Sequence, residues 1–111
     1  MANITYQDFE KVEIRIGRII KAETFAKARK PAYKLLIDFG EHGIKKSSAQ
    51  ITQLYTLGEL VNRFVVAVTN FPPRQIADFI SEVLVLGVVL PDNSVSLLKP
   101  EHDVPLGSRI L

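Results

Sequence analysis

Lys11 to Ile20 reads "KVEIRIGRII", and the placement of its apolar residues decides the fold. Val12, Ile14 and Ile16 fall on one face of an extended chain, and Glu13 and Arg15 fall on the other. This is the period-two alternation of a half-buried strand. Gly17 interrupts it, and the alternation resumes out of step. A glycine inside a strand pattern marks a bulge or a sharp bend. A strand bent there can lend its two halves to two sheets. Small closed barrels need such a strand, because they are coiled sheets turned at corners.

Reading outward, "TYQDFEK" before this strand places Thr5 three residues ahead of Asp8, a helix-start pattern with Tyr6 and Phe9 on one side. After it, "TFAKARKPAYK" is a lysine-rich loop closed by Pro31. "YKLLIDFG" and "IKKSSAQ" are strands joined by the turn "EHG", which makes a hairpin. "ITQLYTLGELVNR" mixes helical spacing with Gly58 and reads as short helical turns. "RFVVAVTNF" is apolar on both faces and predicts a buried strand. Pro72 and Pro73 lack amide donors, so "PPRQI" cannot lie in a central strand. "EVLVLGVVL" predicts a further buried strand with Gly87 in its middle. "PDNS" is a turn, "VSLLK" a return strand, and Ser108–Leu111 a final strand. Five main strands, one bent, with a helical connection after the third, predict an all-β fold: a five-stranded OB-fold Greek-key barrel with short helical segments. An open sandwich of similar size would show the same pattern.

The 111 residues suit a single domain spanning 1–111, and 47% apolar residues suffice for a core. A domain this small buries only about two-thirds of its unfolded surface, so self-association would add stability. There is no cysteine, which excludes disulfide frameworks, thiolate metal sites and cysteine nucleophiles. The first residues lack a basic segment followed by an apolar run, so no secretory signal is expected. The longest apolar run, Val83–Leu90, falls far short of the roughly 20 residues of a membrane helix. A soluble cytoplasmic protein is the expectation.

Net charge is only +2, but residues 11–46 carry ten bases against four acids, a local balance of +6. Such asymmetry suits a polyanion or an acidic surface; the alternative is a solvated basic face whose charges do not converge. Nothing in the chain reads as catalytic. His42 and His102 sit in turns beside acids, without the ligand spacing of a metal site. Ser47 and Ser48 have no base to activate them; their hydroxyls, with Gln50 and Lys45 or Lys46, suit phosphate and sugar contacts, or else form a polar edge strand. "KARKPAYK" groups Lys27, Arg29, Lys30 and Lys34 with Tyr33, a mixture of cations and a ring that suits single-stranded or looped nucleic acid, unless Tyr33 belongs to the core. "NFPPRQIADF" places Phe71, Pro72, Pro73, Ile76 and Phe79 in a stretch that should be a loop. Either it is a lid over the barrel or it is an exposed patch for a partner or a second subunit.

Five blocks, "DFEKVEIRIGRIIKAE", "KPAYKLLIDFG", "GIKKSSAQIT", "VAVTNFPPRQIA" and "SEVLVLG", stand in an order that closely resembles the CsaA family, from about Asp8 to the end of the chain. This is an export-associated, chaperone-like family built as a stand-alone tRNA-binding domain. Related domains are appended to some methionyl- and phenylalanyl-tRNA synthetases. The resemblance implies an oligonucleotide-binding barrel, a homodimer, no cofactor, and tRNA bound by its shaped outer corner. It also implies binding of unfolded or export-bound polypeptides and cooperation with the export machinery. Carried over by position, it implies tRNA contacts from Lys27, Arg29, Lys30, Lys34, Lys45, Ser47, Ser48, Gln50 and Arg74, to which the side-chain chemistry adds Lys46. The resemblance also places Asn70 and Phe71 beside the expected peptide groove. A polypeptide-binding role predicts an exposed apolar groove from Phe71, Pro72, Ile76, Phe79 and Ile80, rimmed by basic residues and preferring unfolded, basic-to-neutral apolar segments. Asp78 and Ile80 stand where the family pattern has Gly and Lys, which weakens phosphate contact from that loop. The alternative is a dedicated secretion chaperone whose tRNA binding is incidental.

Overall fold

The computed structural model describes residues 1–111. Its frame is an 11-residue strand, β1 (Ile14–Thr24), built on the opening stretch. The first half of β1 pairs antiparallel with β4 (Phe64–Val68), from Ile14↔Val68 to Arg18↔Phe64. The second half pairs with β2 (Tyr33–Asp38), from Arg18↔Asp38 to Thr24↔Tyr33. One bent strand therefore joins two partners, as the glycine suggested. The register slip itself lies three residues later, between Ile19 and Lys21. With Ile20 as the extra residue, the inward side changes from Gly17 and Ile19 to Ala22, which lies opposite the buried Leu35.

Gly17 has a different task. A Cβ there would lie 2.6 Å from Ile37 Cγ2 and 2.7 Å from Phe39 Cε1, and both of those side chains are fully buried. The strand passes too close to the core to carry a side chain at that point. Ile16, just before it, is buried on the other face, where the chain's last segment pairs with β1. The Ile16 amide donates to Ser108 O, and the Gly107 and Ile110 amides donate to Ile16 O and Ile14 O.

β3 (Ile44–Ala49) pairs along all of β2, and β7 (Leu84–Val85) adds to β4, giving the order β3-β2-β1-β4-β7. The open edges meet: the amides of Glu82 and Val83 donate to Lys46 O at 2.8 and 3.3 Å. The result is a nearly closed five-stranded antiparallel barrel of the OB type. Ile19, Leu35, Ile37, Phe39, Val65 and Ala67 lie in its core. Short helices accompany it. In α1 (Tyr6–Glu10) and α2 (Leu57–Leu60), Thr5 and Thr56 form capping boxes with Asp8 and Glu59, satisfying amides that a helix start leaves unpaired. α2, which connects β3 to β4 along the chain, packs against β1 and places Leu60, fully buried, in the core.

Two elements differ from expectation. "NFPPRQIADF" runs into a two-stranded hairpin, β5 (Arg74–Ile76) and β6 (Phe79–Ser81), turning at Ala77 with φ +52°. "EVLVLGVVL" is not one buried strand. It pairs with β4 for two residues and then leaves the sheet as β8 (Gly87–Val89), which pairs with β9 (Val95–Leu97). A Cβ at Gly87 would collide with the Val95 side chain and with Ser96 O, so β9 packs where only a glycine leaves room. Beyond it Val88 and Val89 project outward, half or more exposed.

Candidate nucleic-acid interface

Two lysines anchor the basic face, and strand parity puts them together. On the β2–β3 ladder Lys34 pairs with Ser48 and Leu36 with Lys46, so Lys34, Lys46 and Ser48 project from the barrel's outer side. Lys45 pairs with Ile37, whose side chain is in the core, and so stands on the opposite side. Lys45 and Lys46 do not act as a pair.

The β5–β6 hairpin lies against this outer side. Ser81 Oγ accepts from the Ser48 amide at 3.0 Å, and the Glu82 carboxylate accepts from the Lys46 amide at 3.0 Å. Phe79 meets Phe25 edge-on at 5.4 Å between ring centroids. Lys34 Nζ sits 5.2 Å from the Phe25 ring and 5.6 Å from the Phe79 ring, and Lys46 Nζ sits 5.6 Å from Phe79. Each such contact contributes roughly 0.5–1 kcal/mol at an exposed site, enough to orient an ammonium and too little to bind it against phosphate. The sequence pattern did not mark Phe25. It is buried beneath the basic loop, and its amide donates to Ala32 O, closing that loop.

Within the loop the four cations separate. Lys27 Nζ lies 2.9 Å from Asp78 Oδ2 at the hairpin tip, a bridge between exposed groups. The hydrogen bond from Lys27 holds the Asp78 carboxyl below its ordinary value. Lys34 lies over the two rings. Arg29 and Lys30 reach neither; they line a cleft of about 510 Å³ with Ser48, Gln50 and Arg74. Aliphatic side chains, Ile51, Ile76, Leu84, Val85 and Val95, form its walls. A neighbouring cleft of about 450 Å³ shares Ser48, Arg74, Ile76 and Leu84 with it and adds Phe71 and Pro72.

Several expected site residues stand elsewhere. Ser47 is fully buried, and its hydroxyl donates to Val83 O at 3.1 Å, where β3 meets the strand that closes the barrel. It is a structural residue that no ligand reaches. The Asn70 amide is engaged at both ends, with Nδ2 donating to Lys11 O at 2.7 Å and Oδ1 accepting from the Glu13 amide at 3.0 Å. It fastens the entry of β1 to the exit of β4. Ile80 pairs with Gln75, and Phe79 with Ile76, so Ile80 lies on the opposite hairpin face from those two. Phe71, Pro72 and Ile76 share a cleft, whereas Phe79 belongs to the lysine cluster. Tyr33 packs against the core, and its hydroxyl donates to Tyr55 O at 2.8 Å. No three His, Cys, Asp or Glu residues gather as a metal site would require, and no helix is long and apolar enough to cross a membrane.

A family model described as a putative tRNA binding domain matches residues 14–109. The chain is similar to the crystal structure of the chaperone CsaA from Bacillus anthracis, with 48% identity, TM-score 0.95, and 99% of this chain and 100% of that one covered. It is similar to the CsaA chaperone protein of Picrophilus torridus, with 54% identity, TM-score 0.92, and 98% and 100% covered. A methionyl-tRNA synthetase related protein of Pyrococcus horikoshii shares the fold, with 24% identity and TM-score 0.89 over the full length of both chains. Among curated relatives, the methionine–tRNA ligase of Methanococcus aeolicus is 36% identical over 110 residues, 99% of this chain. This chain spans only 16% of that ligase's length.

Proposed function

This chain belongs to the tRNA-binding domain family and to its CsaA branch, and from that premise we propose that it binds tRNA without catalysing a reaction. One observation carries the reading: Arg29, Lys30 and Arg74 converge on one cleft beside the outward-facing Lys34 and Lys46, and none of the five is in an ion pair. Cations left free along a surface suit the phosphates of a folded RNA, recognised by shape. Ser48 and Gln50 add neutral donors for phosphate and sugar. Lys27 contributes less while Asp78 holds it.

Strand parity supplies the test. Lys46→Glu reverses a charge on the outer face, whereas Lys45→Glu reverses one on the other side. In a titration of bulk tRNA followed by fluorescence anisotropy, Lys46→Glu weakens binding at least tenfold and Lys45→Glu leaves it within about twofold. Equal losses from the two would refute the assignment.

A second activity, capture of unfolded or export-bound polypeptides, is supported by the cleft where Phe71, 53% exposed, adjoins Pro72 and Ile76. Suppression of the aggregation of an unfolded client should weaken in Phe71→Ala, and unchanged suppression would count against it. Phe71 is the cleaner probe, because Phe79 also supports Phe25. We assign the molecule to a soluble cytoplasmic homodimer. α1 buries none of its residues, and Ile4, Tyr6 and Leu111 are 73%, 64% and 89% exposed, apolar surface that a second copy would cover.

A further inference from the structure

The cleft beneath Arg29, Lys30 and Arg74 combines two features that a sugar–phosphate backbone does not satisfy together. Its rim carries three cations, and no Asp or Glu lines it. None of the three cations has an ion-pair partner, and the Ser48 hydroxyl and Gln50 amide stand beside them. Its walls, by contrast, are aliphatic: Ile51, Ile76, Leu84, Val85 and Val95. Its volume of about 510 Å³ falls within the roughly 300–1,000 Å³ of small-ligand pockets. A phosphate chain would neutralise the rim and leave those walls wet. The stacking platforms of nucleobase sites are chiefly aromatic rings, and no aromatic residue lines this cleft, whose two guanidinium groups, Arg29 and Arg74, stand with Lys30 as the charges an anion would engage. A compact aliphatic group attached directly to an anion fits both features.

We propose that this cleft binds the C-terminal end of a polypeptide whose last residue is aliphatic, with the terminal carboxylate held by Arg29, Lys30 and Arg74. The proposal rests on the polypeptide-capture reading above and names the chemistry that reading leaves open. It turns one expectation round, since three uncompensated cations favour acidic peptide ends and repel basic ones. Planar guanidinium groups accept a carboxylate through two parallel hydrogen bonds. The aliphatic side chain then enters between Ile76 and Leu84, while the preceding residues run out past Phe71 through the adjoining cleft, which shares Ser48, Arg74, Ile76 and Leu84. RNA phosphates and this carboxylate would draw on the same three cations, so the two ligands exclude one another there.

The test uses the full chain and an N-terminally fluorescein-labelled peptide ending in Leu-Val, made with a free terminal carboxylate and as its C-terminal amide. Anisotropy titration should show the acid binding about tenfold more tightly, the scale of one charge-assisted interaction. Arg29→Gln combined with Arg74→Gln should abolish that difference while circular dichroism stays native, and bulk tRNA should displace the acid peptide. Equal affinity of acid and amide, or a preference that survives the double variant, overturns the proposal. So does adenosine monophosphate binding that depends on Arg29 and Arg74 when the peptide acid binds no better than its amide; that result assigns the cleft to a nucleotide. If an unfolded client is still captured in any of these cases, only the terminal-carboxylate assignment falls. If no polypeptide is captured, the reading beneath it falls as well.

Discussion

Gly17→Ala tests the barrel where it is tightest. The new methyl would meet Ile37 Cγ2 at 2.6 Å and Phe39 Cε1 at 2.7 Å, closer than carbon atoms approach without something shifting. Ile37 and Phe39 are both fully buried, so neither has open space to move into. Overpacking of this kind costs about 1–3 kcal/mol. Against it stands the entropy that alanine removes from the unfolded chain, about 0.4–1 kcal/mol in favour of the variant. The steric effect wins, leaving a net loss of about 1–2 kcal/mol and a Tm lower by roughly 5–10 °C for a chain of this size. Gly58→Ala is the matched control: a Cβ there meets nothing within 4 Å and sits inside α2. Helix propensity alone should then stabilise by up to about 1 kcal/mol. Both are read by thermal unfolding under circular dichroism. A Gly17→Ala protein at least as stable as the wild type would refute the packing of β1 against β2, and with it the bend that closes the barrel.

Two further outcomes follow from individual contacts. Ser47→Ala removes the hydroxyl that donates to Val83 O. It should lower stability by about 1 kcal/mol and leave tRNA affinity unchanged, whereas a change in affinity at constant stability would return Ser47 to the binding set. The stability of the protein should also fall in acid. Glu59 is held below its ordinary 4.5 by hydrogen bonds from the Thr56 backbone and side chain, and Asp92 below its ordinary 3.8 by the Ser94 hydroxyl and amide. Carboxyls with depressed folded values stabilise fully above their unfolded values and lose that contribution as the pH falls through the folded ones. Urea unfolding should therefore find these contributions constant above about pH 4.5 and declining below it, with a shallower acid decline in Glu59→Gln combined with Asp92→Asn. An identical decline in that variant would contradict the two networks.

Local patterns and the contacts they imply were legible to different degrees. Alternation in Lys11–Ile16 and the apolar run Val65–Val68 located β1 and β4, because burial on one or both faces writes itself directly into the residue types. The glycine in β1 pointed to a bend, but the register slip belongs to Ile20. A bulge depends on what the partner strand offers opposite, and no single-strand pattern contains that. Val88 and Val89 resemble a buried strand in composition, yet they lie beyond the point where the chain leaves the sheet. The charge excess of residues 11–46 contains Lys27, Arg29, Lys30, Lys34 and Lys46, but also Arg15, which pairs with Glu13, Arg18, which lies over Phe64, and Lys45, which stands on the opposite side, and it does not contain Arg74. Whether Lys27 meets Asp78, Lys34 meets Phe79 or Arg29 meets Arg74's cleft is decided by contacts between residues about 45 or more apart. Ser47 and Ser48 look alike in sequence. Parity on β3 and closure of the barrel send one inward to Val83 and the other outward to the cleft.

The central claim, that Arg29, Lys30, Lys34, Lys46 and Arg74 form one phosphate-binding surface, is tested most directly by the salt dependence of tRNA binding. Each neutralised phosphate releases counterion and contributes about −0.7 to −0.9 to the slope of log affinity against log salt, so five contacts give roughly −4. Replacing Arg74 by Gln should make that slope shallower by about one. A near-zero slope for the wild type, or one unchanged by removing Arg74, would contradict the account.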